Sequence, residues 1–463
     1  MTTKALANFT ANLTYEKLSE HSISMAKKCL LDWLGVAIGG SREEPAKIIR
    51  DTIIKFQVKE ATVFAEGCEQ TSALDAAFCN GAASHSLDFD DLHNPSIIHL
   101  ACVVIPPAVA IAEAEHKSGQ QLLAAICAGY EAGARAGEAV IPASYFYWHT
   151  TGTAGIFGAA AAAANILGLD EQQTLMCYGS AGTQAAGLWE FLKEGAMSKS
   201  LHAGKSAYGG ALAAYLAKSG FTGASQILEG EKGFCHAMVA QPHLEKLSQN
   251  LHYQQLKIDN NSFKPYACCK HSHATLYAIQ ELKKQHSLEP KDVSAIRIYV
   301  NNITDYLINN PTPLTPYGCK FSLQYCAAAM LKNGVAGIEQ FRENVIRDEA
   351  VRCLMEKVQV IKDAAMERIH DTDPSKLASR VEIQLQSGDV LSMQVDYPKG
   401  DPDNPFTWKD ACEKFMSLAV PVYGTERAQA LCNIVAHVED YPDIAVALAS
   451  CLKEEYDESQ GNI

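Results

Sequence analysis

Between Ser84 and His99 the chain reads Ser-His-Ser-Leu-Asp-Phe-Asp-Asp-Leu-His-Asn-Pro-Ser-Ile-Ile-His. Three carboxylates (Asp88, Asp90, Asp91) and three imidazoles (His85, His93, His99) fall in this run, and alanine-rich apolar sequence flanks it. Charged groups set that close to a core cost free energy unless they are paired, solvated or used. Three readings are open. A carboxylate and His99 handle protons or orient substrate at a pocket rim. Asp and His side chains hold a divalent metal. Or aspartates cap a helix end and the histidines are solvated. If the run is helical, Asp88 and Asp91 share a face, and Pro95 predicts a break close by.

Three further segments carry chemistry. Lys199 lies in Glu194–Gly210, a segment that also contains Gly204-Lys205-Ser206. A phosphate loop is excluded, because Lys199 stands where that pattern needs glycine. At the start of a buried helix, the Lys199 ammonium and the free N–H groups would attract a carboxylate; the plainer reading is a solvated lysine. Lys205 reads as a surface charge. His149 follows Tyr145-Phe146-Tyr147-Trp148. Aromatic packing can hold an imidazole neutral as an acid or base, and a core histidine donating to a carbonyl fits equally. The run Lys264–His273 holds Lys264, Cys269, Lys270, His271 and His273. It suits an anion at a domain junction, or a mere hinge. Its vicinal cysteines make a poor zinc site.

These segments need a scaffold. Ile23, Ala26, Leu30, Leu31 and Leu34 recur at helical spacing. Val103–Lys117, Gln120–Val140, Gly152–Leu169 and Ser200–Ser219 carry small residues on several faces, as closely packed buried helices do. This helical texture is read over the first 250 residues or so. Beyond it, Val293–Val300 alternates as a strand, and Val381–Leu385 with Val390–Val395 flanks a hairpin turn at Gln386-Ser387-Gly388-Asp389. Phe321–Lys332 and Gly337–Asn344 read as helices, and Trp408–Cys451 is helical again. The expected fold is mainly α with an α+β insert. A large all-helical domain is formed by residues 1–261 and 400–463, and a smaller α+β lid domain by 262–399.

Composition narrows the function. A chain of 463 residues buries a large core, and a net charge of −14 disfavours nucleic acid as a partner. The 15 cysteines form no spaced metal pairs and fit a reducing, cytoplasmic setting. The apolar run Ile97–Ala112 is interrupted by Pro106-Pro107, and the N-terminus lacks a basic-then-apolar pattern. Neither a membrane segment nor a targeting signal is expected.

The segments, in this order, resemble the MmgE/PrpD superfamily of 2-methylcitrate dehydratases, cis-aconitate decarboxylases and iminodisuccinate epimerases. The resemblance is carried by Ser84–Asp91; His149 with Thr151-Gly152-Thr153; Lys199–Gly204; Gly220–Gly223 with Ile227–Gly230; Lys264–His273; and Phe321–Tyr325. It spans the chain. It implies a helical domain with a lid, a homodimer, a small polycarboxylate substrate, and chemistry without a metal or organic cofactor. The implied catalytic residues are Asp88, His99, His149 and Lys199. Substrate binding is expected from Asp91, His93, Lys264, Cys269, Lys270 and His273. The implied activity is a hydro-lyase or decarboxylase; the alternatives are an epimerase of a dicarboxylate and an inactive polycarboxylate-binding dimer. The chain departs from the family pattern at four positions. Leu92 replaces a threonine, Cys269 a histidine of the animal decarboxylases and Lys270 an arginine of many bacterial members, while Asp90 stands where true 2-methylcitrate dehydratases have asparagine. The spacing to His99 is one residue longer than in the animal decarboxylases.

Overall fold

The computed structural model describes residues 2–54, 58–193, 196–373 and 376–452, with the side chains of 192 and 193 also outside it. Glu194 and Gly195, which open the Lys199 segment, lie outside the described residues, as do 374, 375 and the end of the chain from 453. The chain divides into two compact units. One comprises Met1–Ser86, Asp90–Asn261 and Thr407–Ile463; the other comprises Leu87–Phe89 and Ser262–Phe406.

The first unit is built of helices that need small residues to meet. Gly119–Glu138 crosses Gly155–Ile166 at Gly129 and Gly158. A Cβ on Gly129 would stand 2.4 Å from Val104 and 2.9 Å from the Gly158 carbonyl, so only glycine permits the approach. Ser198–Lys218 packs on Ala73–Ser86 in the same way, with Gly204 against the Phe78 carbonyl. Ala101–Ala114 is apolar on every face except at Glu113, as a core helix should be, and it continues through Pro106 and Pro107. No helix among the described residues is long and apolar enough to cross a membrane. The helical texture stops sooner than expected: after Lys218 the chain to Asn261 is turns and short pieces such as Phe234–Met238 and Leu244–Leu247. Two short strands, β1 (Ala61–Thr62) and β2 (Gln70–Thr71), pair antiparallel. At two residues each, they leave no periodicity to read.

The expectation that Asp88 and Asp91 share a helical face is corrected. Ala73–Ser86 ends before them, and Asp88 takes a left-handed backbone (φ 54°) that no helix continues. Pro95 does mark a break, opening the short turn Asn94–Ser96.

The second unit holds a four-stranded sheet in the order β4-β3-β5-β6: β3 (Val293–Val300), β4 (Val358–Lys362), β5 (Ser379–Leu385) and β6 (Val390–Val395). Ile296 pairs with Ile383 and Ile298 with Val381, all buried, on the face covered by His273–His286 and Leu323–Asn333. The β5–β6 turn uses Gly388 at φ 96°, a conformation glycine adopts freely. The strand β4 runs parallel to β3 and was not expected from the sequence, since Val358-Gln-Val-Ile-Lys362 breaks alternation at the adjacent Val360 and Ile361. Gly337–Asn344 is not a helix. Ile338–Phe341 is a short 3-10 helix, with the Gln340 side chain accepting the Gly337 N–H and the Phe341 ring buried, and a separate turn follows from Glu343.

Glu113, buried in the first unit, accepts the backbone N–H of Thr62 at 3.0 Å and its hydroxyl at 2.7 Å. Burial raises its pKa to about 7 in spite of these bonds. An unfolded glutamate titrates near ~4.3, so the folded state keeps a proton that the unfolded chain has released. This group's contribution is therefore full below pH ~4.3 and is lost as pH rises through about 7. In Glu113→Gln, which can keep both bonds, urea unfolding across pH 4–8 should show a flatter decline in stability than the parent.

Candidate active site

Asp91 fixes the loop that carries His99. Its Oδ1 accepts the Ala101 N–H (3.0 Å) at the start of Ala101–Ala114; its Oδ2 accepts the Tyr130 hydroxyl (2.5 Å) and Asn261 Nδ2 (2.6 Å). Burial raises the Asp91 pKa to about 7, against the pull of the Tyr130 and Ala101 bonds. His93 is also structural in its contacts: its Nδ1 meets Ser96 Oγ at 2.9 Å, and burial drives its pKa down to about 3. Both residues, expected to bind substrate, are tied inside the first unit.

The same loop delivers Asp90 and His99 to His85, on the last turn of Ala73–Ser86. His85 Nδ1 lies 2.6 Å from Asp90 Oδ2, and His99 Nδ1 lies 3.4 Å from the same oxygen. The His85 ring stacks on His149 at 5.4 Å, and His149 Nδ1 faces His202 Nδ1 at 3.2 Å. A hydrogen bond between two Nδ1 atoms needs one proton, so those rings are opposite neutral tautomers. Burial lowers the His149 pKa well below the ordinary value, and the neighbours His85, Lys199, His202 and His99 add to it. His202 is lowered to about 4, again chiefly by burial.

The glycines and threonines of the His149 motif have contacts that explain them. A Cβ on Gly152 would sit 2.9 Å from the Ala186 carbonyl and 3.1 Å from His202 Cβ. Thr150 Oγ1 donates to the Ile97 carbonyl, and Thr151 Oγ1 accepts the His99 N–H at 3.2 Å. These bonds lock the His149 turn to the His99 loop. Lys199 is the second residue of Ser198–Lys218, buried, with its charge felt by His149, His202 and Cys102. Lys205 is no surface charge: it is half-buried and donates to the Gln184 carbonyl.

The second unit gathers a different set. Lys264 Nζ donates to the Asp88 carbonyl (2.9 Å) and carboxylate (3.2 Å), both side chains being buried. Burial, then Asp88, raises the Cys269 pKa to about 12, so Cys269 is a thiol and not a nucleophilic thiolate at neutral pH. Lys270 is paired with Asp401 at 2.6 Å. His273 Nε2 meets the Cys268 carbonyl at 3.2 Å; burial, then Lys270 and Lys264, hold the ring neutral.

Of the residues expected in the site, His99, His149 and Lys199 thus come together in the first unit, and Asp88, Lys264, Cys269, Lys270 and His273 belong to the second. Sequence reasoning left His85, Asp90 and His202 out of the site. The signal for the first two was present, since both lie in the Ser84–His99 run.

Among the described residues, ligand-type atoms of His85, Asp90 and His99 lie within 4.8 Å of one another. Two donors on one tetrahedral zinc ion stand roughly 3.3 Å apart. The 2.6 Å His85–Asp90 contact is instead the length of a charge-assisted hydrogen bond. His85 and Asp90 are thus arranged as a hydrogen-bonded pair, and His99 Nδ1 stands 3.4 Å from the same carboxylate oxygen.

Comparison with known proteins places the chain. Residues 4–247 match the MmgE/PrpD N-terminal domain and residues 266–440 the MmgE/PrpD C-terminal domain. The chain belongs to the MmgE/PrpD family. It is 29% identical to human cis-aconitate decarboxylase, over 97% of this chain and 94% of the relative. It is 28% identical to the mouse enzyme of that name (96% and 92%), and 26% identical to the cis-aconitate decarboxylase-like protein oryM of Aspergillus oryzae (96% of each).

Replacing Lys264 by methionine strands Asp88 in a buried site. Breaking a buried pair from one side costs about 3–5 kcal/mol. Lys264→Met should therefore show a loss of that order in urea unfolding; a loss below ~1 kcal/mol would mean that the Lys264–Asp88 contact does not stabilise the second unit.

Proposed function

We propose that this chain is a cofactor-independent lyase, of decarboxylase or dehydratase type, acting on a small di- or tricarboxylate through negative charge developed on a carbon beside a carboxylate. The observation that carries the reading is the row of buried imidazoles with the Lys199 ammonium beside it. Membership of the MmgE/PrpD family, and relatives named cis-aconitate decarboxylase, add support.

In this reading Lys199 binds a substrate carboxylate and stabilises the charge that grows next to it. His149, neutral at pH 7 before substrate reacts, serves as a proton acceptor or an N–H donor, and does not start as an imidazolium. His99, beside the Asp90 carboxylate, is the imidazole suited to hold a proton and deliver it. In decarboxylation the carbon–carboxylate bond breaks, carbon dioxide leaves, and the electron pair left on carbon takes the His99 proton. In dehydration His149 removes a proton from carbon and His99 protonates the departing hydroxide. Asp88 remains a candidate base, and Lys264, Cys269, Lys270 and His273 candidate substrate contacts, in the same proposal. So do the homodimer and the cytoplasmic setting. Two departures bear on the choice of substrate: Cys269 offers a neutral thiol, and the Lys270 charge is already met by Asp401.

The test is turnover of cis-aconitate, citrate, 2-methylcitrate, malate and iminodisuccinate by protein dialysed exhaustively against chelator, followed by proton NMR in heavy water. One compound should lose carbon dioxide or water. Exchange at carbon without net loss would move the assignment to an epimerase, and binding without turnover to an inactive binding protein. For the active compound, Lys199→Ala and His99→Ala should each lower kcat/KM at least about a hundredfold. Losses within tenfold, worth only ~1.4 kcal/mol, would overturn their roles.

A further inference from the structure

Neither Asp90 nor His85 can meet a ligand directly in this structure, since both side chains are 0% exposed, whereas the His99 side chain keeps 13% of its surface. Yet both are aimed at His99. The Asp90 Oδ2 atom is hydrogen-bonded to His85 Nδ1 at 2.6 Å and lies 3.4 Å from His99 Nδ1, within ion-pair reach of that ring but without a hydrogen bond to it. His85 Nε2, buried, has no hydrogen-bond partner among the described residues, which leaves Asp90 as the polar contact of that ring. His99 itself is held by its backbone: its N–H reaches Thr151 Oγ1, and its carbonyl accepts the Cys102 thiol at 3.2 Å. With the main chain pinned, what remains to be set is the ring.

We propose that Asp90 and His85 are positioning residues for His99: the Asp90 carboxylate, oriented by His85, holds the His99 ring through Nδ1 and leaves Nε2 as the nitrogen offered to substrate. The arrangement follows the logic by which a buried carboxylate fixes the tautomer of a catalytic histidine and stabilises its protonated form. His85 gives the carboxylate its orientation, because a carboxylate holding a short charge-assisted bond cannot rotate away from the second ring without breaking it. The other titratable groups of this neighbourhood are Asp91 on the same loop, Cys102 on Ala101–Ala114, His149 before Thr150–Thr153, and Lys199 and His202 on Ser198–Lys218. Of these, Lys199 alone is a cation when His149 and His202 are neutral, and it opposes a proton on His99. Asp90 supplies the opposing charge. The role of His99 in catalysis rests on the reading of the preceding subsection; its ring geometry does not.

The experiment uses the full-length protein with 15N-labelled imidazoles, the His99 signals being assigned by comparison with His99→Gln. Neutral His99 should carry its proton on Nδ1. In Asp90→Asn its titration midpoint should fall by about one pH unit or more, since an opposite charge within ~4–6 Å shifts a group by ~1–3 units toward its charged form. His85→Gln, which leaves the carboxylate but frees it to turn, should give a smaller fall. With an active substrate, the alkaline limb of the rate profile in Asp90→Asn should move to lower pH with the NMR midpoint, and kcat should drop more than KM changes. An Nε2–H tautomer in the parent protein overturns the proposal, and that measurement stands even if Asp90→Asn does not fold. An unmoved midpoint in folded Asp90→Asn overturns it as well. Because the NMR readout needs no turnover, the expected tautomer in a protein inactive on every compound would sink the lyase reading alone. Turnover with the wrong tautomer would sink this inference alone.

Discussion

An imidazole in water takes up a proton near pH ~6.5. Packed among alanine and glycine faces with the water squeezed out, it does not, unless a carboxylate compensates the charge. That is the constraint around which the first unit is arranged. His149 and His202 are dehydrated and neutral, while Asp90 is hydrogen-bonded to His85 and lies 3.4 Å from His99. Helices meet closely at Gly129, Gly158 and Gly204, and the Asp91 carboxylate anchors the loop that carries His99.

Backbone strain places the remaining groups. The chain turns left-handed at Asp88 and again at Ile97, on either side of the Asp90–Ser96 stretch. Such conformations cost non-glycine residues energy and persist where surrounding contacts hold them. At Asp88 the hold is the Lys264 ammonium, which bonds both the carbonyl and the carboxylate of the strained residue. At Ile97 it is the Thr150 hydroxyl on the carbonyl. The two acid-rich ends of one short sequence motif are thereby sent to different duties, Asp88 with the second unit and Asp90 with the first.

The departures from the family pattern look different once burial is known. Leu92 is buried, so the position that holds a threonine hydroxyl in relatives here adds apolar surface to the loop. Cys269 is a neutral thiol and Lys270 a cation already met by Asp401, so neither brings the net charge that a histidine or a free arginine would. These positions therefore carry less net charge than their residue types alone suggest.

Much was legible before any coordinates. Helical spacing and small-residue faces marked the core helices, and alternation with Gly388 marked β3 and the β5–β6 hairpin, because both patterns are written in neighbouring residues. The chemistry-bearing run from Ser84 to His99 was equally plain from its charges. The sequence alone could not say that Gly337–Asn344 breaks into a 3-10 helix and a turn, that Asp88 leaves the helix, or that Asp91 and His93 are consumed by structural bonds. Nor could it say that His85, Asp90 and His202 stand in the row. Each of these depends on which distant backbone or side chain fills the remaining hydrogen-bonding capacity: Gln340, Lys264, Tyr130 with Asn261, Ser96. Residue types determine what can be charged or bonded. Only the folded packing decides what loses its water, and that loss separates a titrating histidine from a neutral one.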